Sequence, residues 1–148
     1  MKKLFSALTI LTIAAASLIT LSASKRGTLT AHAHDGCTNA TLVGNYGLTF
    51  SGFLHDRGNQ PFYGAGIANF DGAGNMAATF AFSLNGSPST GNTYSATYTV
   101  NSDCTVSITA PPGSGGDSFS GVIVRDGGDV LTTDISAPDT LNMELRRQ

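Results

Sequence analysis

The sequence predicts an all-β domain, an antiparallel eight-stranded up-and-down barrel, and three observations predict it. From Leu42 to the C-terminus apolar residues alternate with small or polar ones, which is the period of a strand. The breaks between runs are mostly short and rich in Gly, Asn and Asp, which favours hairpins over the long return connection of a Greek key. No ten residues after position 33 carry an i, i+3, i+4 apolar stripe. Eight sequential strands remove their exposed edges by closing on themselves, and a barrel of that size is either filled by side chains or holds one small ligand. An eight-stranded β-sandwich is the alternative use of the same strands. An outer-membrane barrel is the third, disfavoured because spanning strands need about 9–11 residues and a continuous apolar outer band.

The runs follow in order. Tyr46, Leu48 and Phe50 alternate with Gly47, Thr49 and Ser51, and the polar stretch His55 to Pro61 breaks the pattern as a loop. Phe62 to Phe70 is rich in Gly and Ala, and Asp71-Gly72-Ala73-Gly74-Asn75 supplies residues that tolerate positive φ for a hairpin. Met76, Ala78, Phe80, Phe82 and Leu84 share one face of the third run, which ends at Asn85-Gly86, a strong hairpin signal. A loop is expected through Pro88 and Gly91. Tyr94, Ala96, Tyr98 and Val100 then form the apolar face of the fourth run, and Asn101-Ser102-Asp103 is a turn. The fifth run carries Val106, Ile108 and Ala110 and meets the irregular stretch from Pro111 to Gly116. Phe119 to Arg125, Val130 to Ile135, and a final run with Leu141, Met143 and Leu145 complete the set, separated by turns at Asp126-Gly127-Gly128 and Ala137-Pro138-Asp139.

Composition narrows the function. The chain has 148 residues, 12% charged, with 18 Gly and no Trp. Lys2 and Lys3 precede an apolar stretch from Leu4 to about Leu21, the order of a secretory signal. Cleavage fits after Ser24 or after Ala33, and retention as an uncleaved anchor is the alternative. Residues 1–33 are thus read as signal peptide and short linker, and 34–148 as a single exported domain. No lipobox Cys follows the apolar run. The exported part keeps four Arg and ten acidic residues, a net charge of −6, and no Lys. This excludes Lys Schiff-base chemistry, nucleic-acid binding and polybasic attraction to membranes. Cys37 and Cys104, the only cysteines, pair most simply as one structural disulfide, since they lack CxxC or zinc spacing.

Six aromatic residues, Tyr46, Phe50, Phe80, Phe82, Tyr94 and Tyr98, fall on the apolar faces of successive strands and should project into one interior. They fill the core, line a pocket at one end, or do both; in the pocket reading Tyr46, Tyr94 and Tyr98 offer hydroxyls as orienting groups. Asp71, Asp103, Asp126 and Asp139 sit in turns, where an Asp side chain bonds its own local backbone. Asp134 lies within a strand run and is expected at a solvent-facing or edge position, and Glu144 outward beside Arg146. Asp71 to Asn75 lacks the further acidic positions of an EF-hand loop. His32 and His34 flank a cleavage site and read as linker. His55, beside Asp56 in the longest early loop, is accompanied by no nucleophile motif such as G-x-S-x-G. No catalytic, metal or cofactor site is therefore assigned. The sequons at Asn39 and Asn85 read as chance matches.

The segments Gly44-Asn45-Tyr46-Gly47-Leu48-Thr49-Phe50, Phe70-Asp71-Gly72-Ala73-Gly74-Asn75 and Thr97 to Thr105 resemble a group of small exported bacterial proteins. In that group a G-x-Y-x-F start, an F-D-G-x-G turn and a Y-x-V-x-x-D-C-T segment recur in this order; this chain carries Leu48 at the last position of the first. The resemblance covers nearly the whole exported part; it implies a shared barrel and brings no activity with it. In strand count the chain is similar to calycin-like barrels, including lipocalins and the allene oxide cyclase and dirigent barrels. That likeness is architectural: the lipocalin G-x-W start is absent, and no catalytic residue of the cyclase barrels maps onto this chain. The expected function is a secreted, non-catalytic barrel that binds a small apolar or aromatic molecule. The alternatives are an extracellular structural or adhesion module, self-associating or bound to cell-surface glycan, and a cyclase or isomerase using a tyrosine with Asp134 or His55.

Overall fold

A computed structural model describes residues 36–148; the expected targeting segment, both expected cleavage sites, His32 and His34 lie outside the described residues. Eight antiparallel strands, β1 (Val43–Leu54), β2 (Gln60–Asp71), β3 (Asn75–Leu84), β4 (Ser87–Val100), β5 (Thr105–Thr109), β6 (Phe119–Val124), β7 (Asp129–Asp134) and β8 (Thr140–Arg147), pair in chain order. β8 pairs back onto β1, so the sheet closes as an up-and-down barrel and the sandwich alternative falls. β5, β6 and β7 are five or six residues long, too short to span a bilayer as barrel strands.

The alternation read from the sequence sets the two faces. Inward positions include Tyr46, Leu48, Ala68, Phe70, Met76, Ala78, Ala96, Tyr98, Val106, Ile108, Ile123, Val130, Leu141, Met143 and Leu145, all buried, while Thr49, Thr79, Thr97 and Thr99 face out and are exposed. Large and small residues alternate across strands inside, as a narrow barrel requires. Gly64 lies in register between Phe50 and Phe82, and a Cβ there would collide with the Phe50 ring, which lies across the glycine.

Turn chemistry fixes the register. Asn85 and Gly86 take φ of 48° and 86°, the type I′ signature of a two-residue hairpin. Asp71 Oδ1 accepts the amides of Ala73 and Asn75 at 2.7 and 2.9 Å, and Oδ2 accepts Asn75 Nδ2 at 2.6 Å. These bonds, the Asn75 side chain first, hold the Asp71 carboxyl down at about 2. Asp103 likewise accepts the Thr105 amide and hydroxyl.

One stretch departs from the expectation. Pro88 and Gly91 read as loop residues, yet β4 begins at Ser87, with Pro88 opposite Ser83 and Ser89 opposite Phe82. A bulge before Asn92, where Gly91 takes φ 71°, absorbs the irregularity. Pro88 is tolerated because β5 pairs β4 only over Thr97–Val100, so the first half of β4 has a free side on which a missing N–H costs nothing.

The two ends of the barrel differ. One carries the β2–β3, β4–β5 and β6–β7 turns and is closed by the segment that precedes β1. There Cys37 and Cys104 form a disulfide with Cα atoms 4.9 Å apart. A 3-10 turn (Asn39–Thr41) follows. The Tyr98 hydroxyl donates to the carbonyls of Asn39 and Leu42 at 3.0 and 2.9 Å, and the Val100 amide donates to Asn39 Oδ1 at 2.8 Å. Tyr46, Phe70 and Tyr98 stack edge to face above this plug, with centroids 5.2 and 5.0 Å apart. The opposite end carries the β1–β2 loop, the β3–β4 turn, the β5–β6 loop (110–118) and the β7–β8 turn.

Candidate functional site

At that opposite end the barrel is not filled. A cavity of about 410 Å³ lies inside it, within the roughly 300–1,000 Å³ range of small-molecule sites. Its floor is Leu48, Met76, Ala78 and Met143, its walls are Phe50, Phe62, Phe80, Tyr94, Phe119 and Leu141, and the β5–β6 loop from Pro111 to Asp117 borders it. The opening follows from strand lengths. β4 has fourteen residues and β5 five, so above Thr97 the β4 edge faces a Gly-rich loop instead of a strand.

The six aromatics picked out in the sequence all point inward, but they divide between the ends. Phe50, Phe80 and Tyr94 line the cavity. Phe82 stands beside them, packed on Phe62 with centroids 5.0 Å apart. Tyr46 and Tyr98 belong to the closed end, and their hydroxyls are committed to backbone carbonyls. Of the three tyrosine hydroxyls, only that of Tyr94 reaches the cavity region. It donates to the Asp117 carbonyl at 2.6 Å and so ties β4 to the loop across the slit. Gly116 lets the loop lie on the Tyr94 ring, where a Cβ would stand 2.9 Å from Cε2.

Two carboxylates change standing. Asp134, expected at a solvent-facing or edge position, continues the inward alternation of Val130 and Thr132 and is half-buried. Its Oδ1 accepts the Ser136 amide at 2.6 Å, and Oδ2 is buried without a hydrogen-bond partner among the described residues. Parity outweighs polarity here because the position lies at the mouth, beside loop donors. Asp117 was not singled out from the sequence, because it lies in the β5–β6 loop ahead of β6, where alternation does not apply. It lines the cavity and is half-buried. Burial first, then the negative charges of Asp134, Asp139 and Asp56, push its carboxyl up to about 6. Asp134 is raised too, mainly by burial, and burial with the Asp117 and Asp134 charges lifts Tyr94 to about 12.

The raised pKa of Asp117 has a definite sign for stability. The folded chain holds this proton more tightly than the unfolded chain, whose carboxyl ionises near 3.8, so stability falls as pH rises from about 4 to about 6 and the deficit persists above. Screening at the half-open mouth reduces the full linkage value. Asp117→Asn therefore stabilises the protein by about 1–2 kcal/mol near pH 8 and leaves it unchanged below about pH 4, as read from urea unfolding at the two pH values.

Other candidates resolve simply. His55 is exposed; its amide donates to Asp139 Oδ1 at 2.6 Å and its Nε2 lies 3.0 Å from Thr140 Oγ1, so the residue joins the β1–β2 loop to the β7–β8 turn, outside the cavity lining. Glu144 faces outward, 3.5 Å from Arg146. Among the described residues no three His, Cys, Asp or Glu side chains gather as a metal site, and no helix is long and apolar enough to cross a membrane. Comparison with protein families, with curated proteins and with solved structures finds no match to this chain.

Proposed function

We propose that the protein is exported and serves as a non-catalytic carrier or sensor of a small apolar or aromatic molecule, held in the open end of its barrel in the manner of the calycin-like barrels. The observation that carries this reading is the cavity itself: one end of the axis is packed solid, while the other keeps about 410 Å³ walled by Phe50, Phe62, Phe80 and Tyr94. Burying apolar surface there stabilises a bound molecule by roughly 25 cal/mol per Å². The disulfide and the apolar leader after Lys2-Lys3 support export into an oxidising compartment.

The test fills the space. Ala78 lies on the cavity floor opposite Ala68 and Tyr94. Ala78→Phe places a ring in the void, and we expect binding of the neutral dye N-phenyl-1-naphthylamine to fall at least tenfold while the unfolding midpoint moves by no more than a few degrees. Equal dye binding by wild type and variant, or none by either, contradicts the reading.

A second reading, a cyclase or isomerase, is favoured by one observation: a carboxyl near pKa 6 in an apolar cavity beside a tyrosine is an arrangement that acid–base chemistry uses. Against it, the Tyr94 hydroxyl proton is already engaged by the Asp117 carbonyl. A ligand recovered chemically unchanged from the cavity supports the carrier; turnover that Asp117→Asn abolishes supports the enzyme.

A further inference from the structure

The charge at the cavity mouth selects among apolar molecules. Among the described residues Asp117 is the one charged side chain in the lining, and Asp134, Asp139 and Asp56 surround it from β7, the β7–β8 turn and the β1–β2 loop, close enough to raise its pKa. No cation answers them with an ion pair among the described residues. Arg125 pairs with Asp129, Arg146 with Glu144, and Arg147 bonds Tyr46 and Thr41 at the closed end. His55 and Arg57 stand on the β1–β2 loop, where the His55 ring meets Thr140. A neutral guest would strip water from Asp117 and give nothing back, and a fatty acid or other carboxylate would bring like charge into a site of low dielectric.

Resting on the reading of the cavity as a ligand site, we propose that its ligand is an amphiphilic cation, an aromatic or branched alkyl body bearing a protonated amine, with the body against Phe50, Phe62 and Phe80 and the ammonium at the Asp117 carboxylate. The aromatic walls add to the preference, because a cation near a ring face is attracted by its quadrupole. Asp134, with a buried and unpartnered Oδ2, reinforces the field without lining the cavity. The preference is pH-dependent with a fixed sign. Below about 6 Asp117 takes up its proton and the attraction to the ammonium is lost, so affinity for a cation falls as the medium is acidified.

Three probes of one shape separate this from the parent reading: 1-naphthylmethylamine, 1-naphthalenemethanol and 1-naphthoate, titrated into the disulfide-intact protein by naphthalene fluorescence. At pH 8 the amine is expected to bind at least tenfold tighter than the alcohol, with the carboxylate weakest. At pH 5 the advantage of the amine shrinks about tenfold. Asp117→Asn removes the advantage, bringing the amine level with the alcohol, and Asp117→Glu keeps it. Alcohol or carboxylate binding as well as the amine overturns the cation inference and leaves the apolar cavity standing. Failure of all three probes overturns both. A preference for the amine that survives Asp117→Asn also overturns the assignment.

Discussion

Reduction of the Cys37–Cys104 disulfide lowers the stability of the barrel by about 4 kcal/mol, the chain-entropy value for a closed loop of this length, and the unfolding midpoint by roughly 15 °C. The bridge spans 67 residues of sequence and encloses all of β1 through β4. It also has a local task. Cys37 is buried and leads directly into the turn that seals one end of the barrel, so releasing it frees the plug that Tyr98 and Val100 hold by hydrogen bonds. Cys37→Ser with Cys104→Ser should match the reduced protein in urea midpoint. A midpoint displaced by the equivalent of less than about 1 kcal/mol would mean that the plug holds without its tether.

Tyr46 is the second position at which a single change has a large effect. It is fully buried, its hydroxyl donates to the Gly127 carbonyl at 2.8 Å, and it accepts two bonds from Arg147, at 2.8 and 3.1 Å. The guanidinium carbon lies 5.4 Å from the centroid of the same ring, and Arg147 Nη2 donates to the Thr41 carbonyl at 2.7 Å. One phenol thus ties together β1, the β6–β7 turn and the end of β8. Tyr46→Phe keeps the ring but strands the Gly127 carbonyl and half of the guanidinium, at a cost of about 2 kcal/mol. Tyr46→Ala adds a cavity beside Phe70 and costs about 4 kcal/mol. Pairing Tyr46→Phe with Arg147→Ala in a double-mutant cycle should return a coupling of about 1 kcal/mol, because either single variant already removes the bonds between the guanidinium and the hydroxyl. Additive effects would show that the hydroxyl and the guanidinium act independently.

The barrel was legible in the sequence because period-2 alternation and turn residues are local signals. Asn85-Gly86 forms the expected hairpin, and Tyr46, Leu48 and Phe50 face the interior as their spacing demands. The start of β4 was hidden because Pro88 and Gly91 are strand breakers everywhere except beside a free edge or in a bulge, and the edge is free only because β5 is short, a fact about another strand. The site was legible in part for a related reason. Alternation says which side chains point inward, Phe50, Phe80 and Tyr94 among them, but it does not say at which end of the axis the space is left. That depends on register: Tyr46 and Tyr98 sit where the plug enters, and Phe50 and Tyr94 sit where nothing does. Asp117 lay in a loop whose path no periodicity describes, so its approach to Tyr94 became visible only in three dimensions. Asp134 carried the inward parity in plain view, and its polarity argued the wrong way.

Both methionines among the described residues, Met76 and Met143, lie on the cavity floor, so their methyl groups report on its occupancy directly. The decisive measurement is a titration of methyl-¹³C-methionine protein with 1-naphthylmethylamine, followed by NMR. A cavity that takes ligands predicts saturable shifts of both methyl resonances in wild type and their loss in Ala78→Phe. Methyl resonances of Met76 and Met143 that stay fixed at millimolar probe would contradict a ligand site in the barrel.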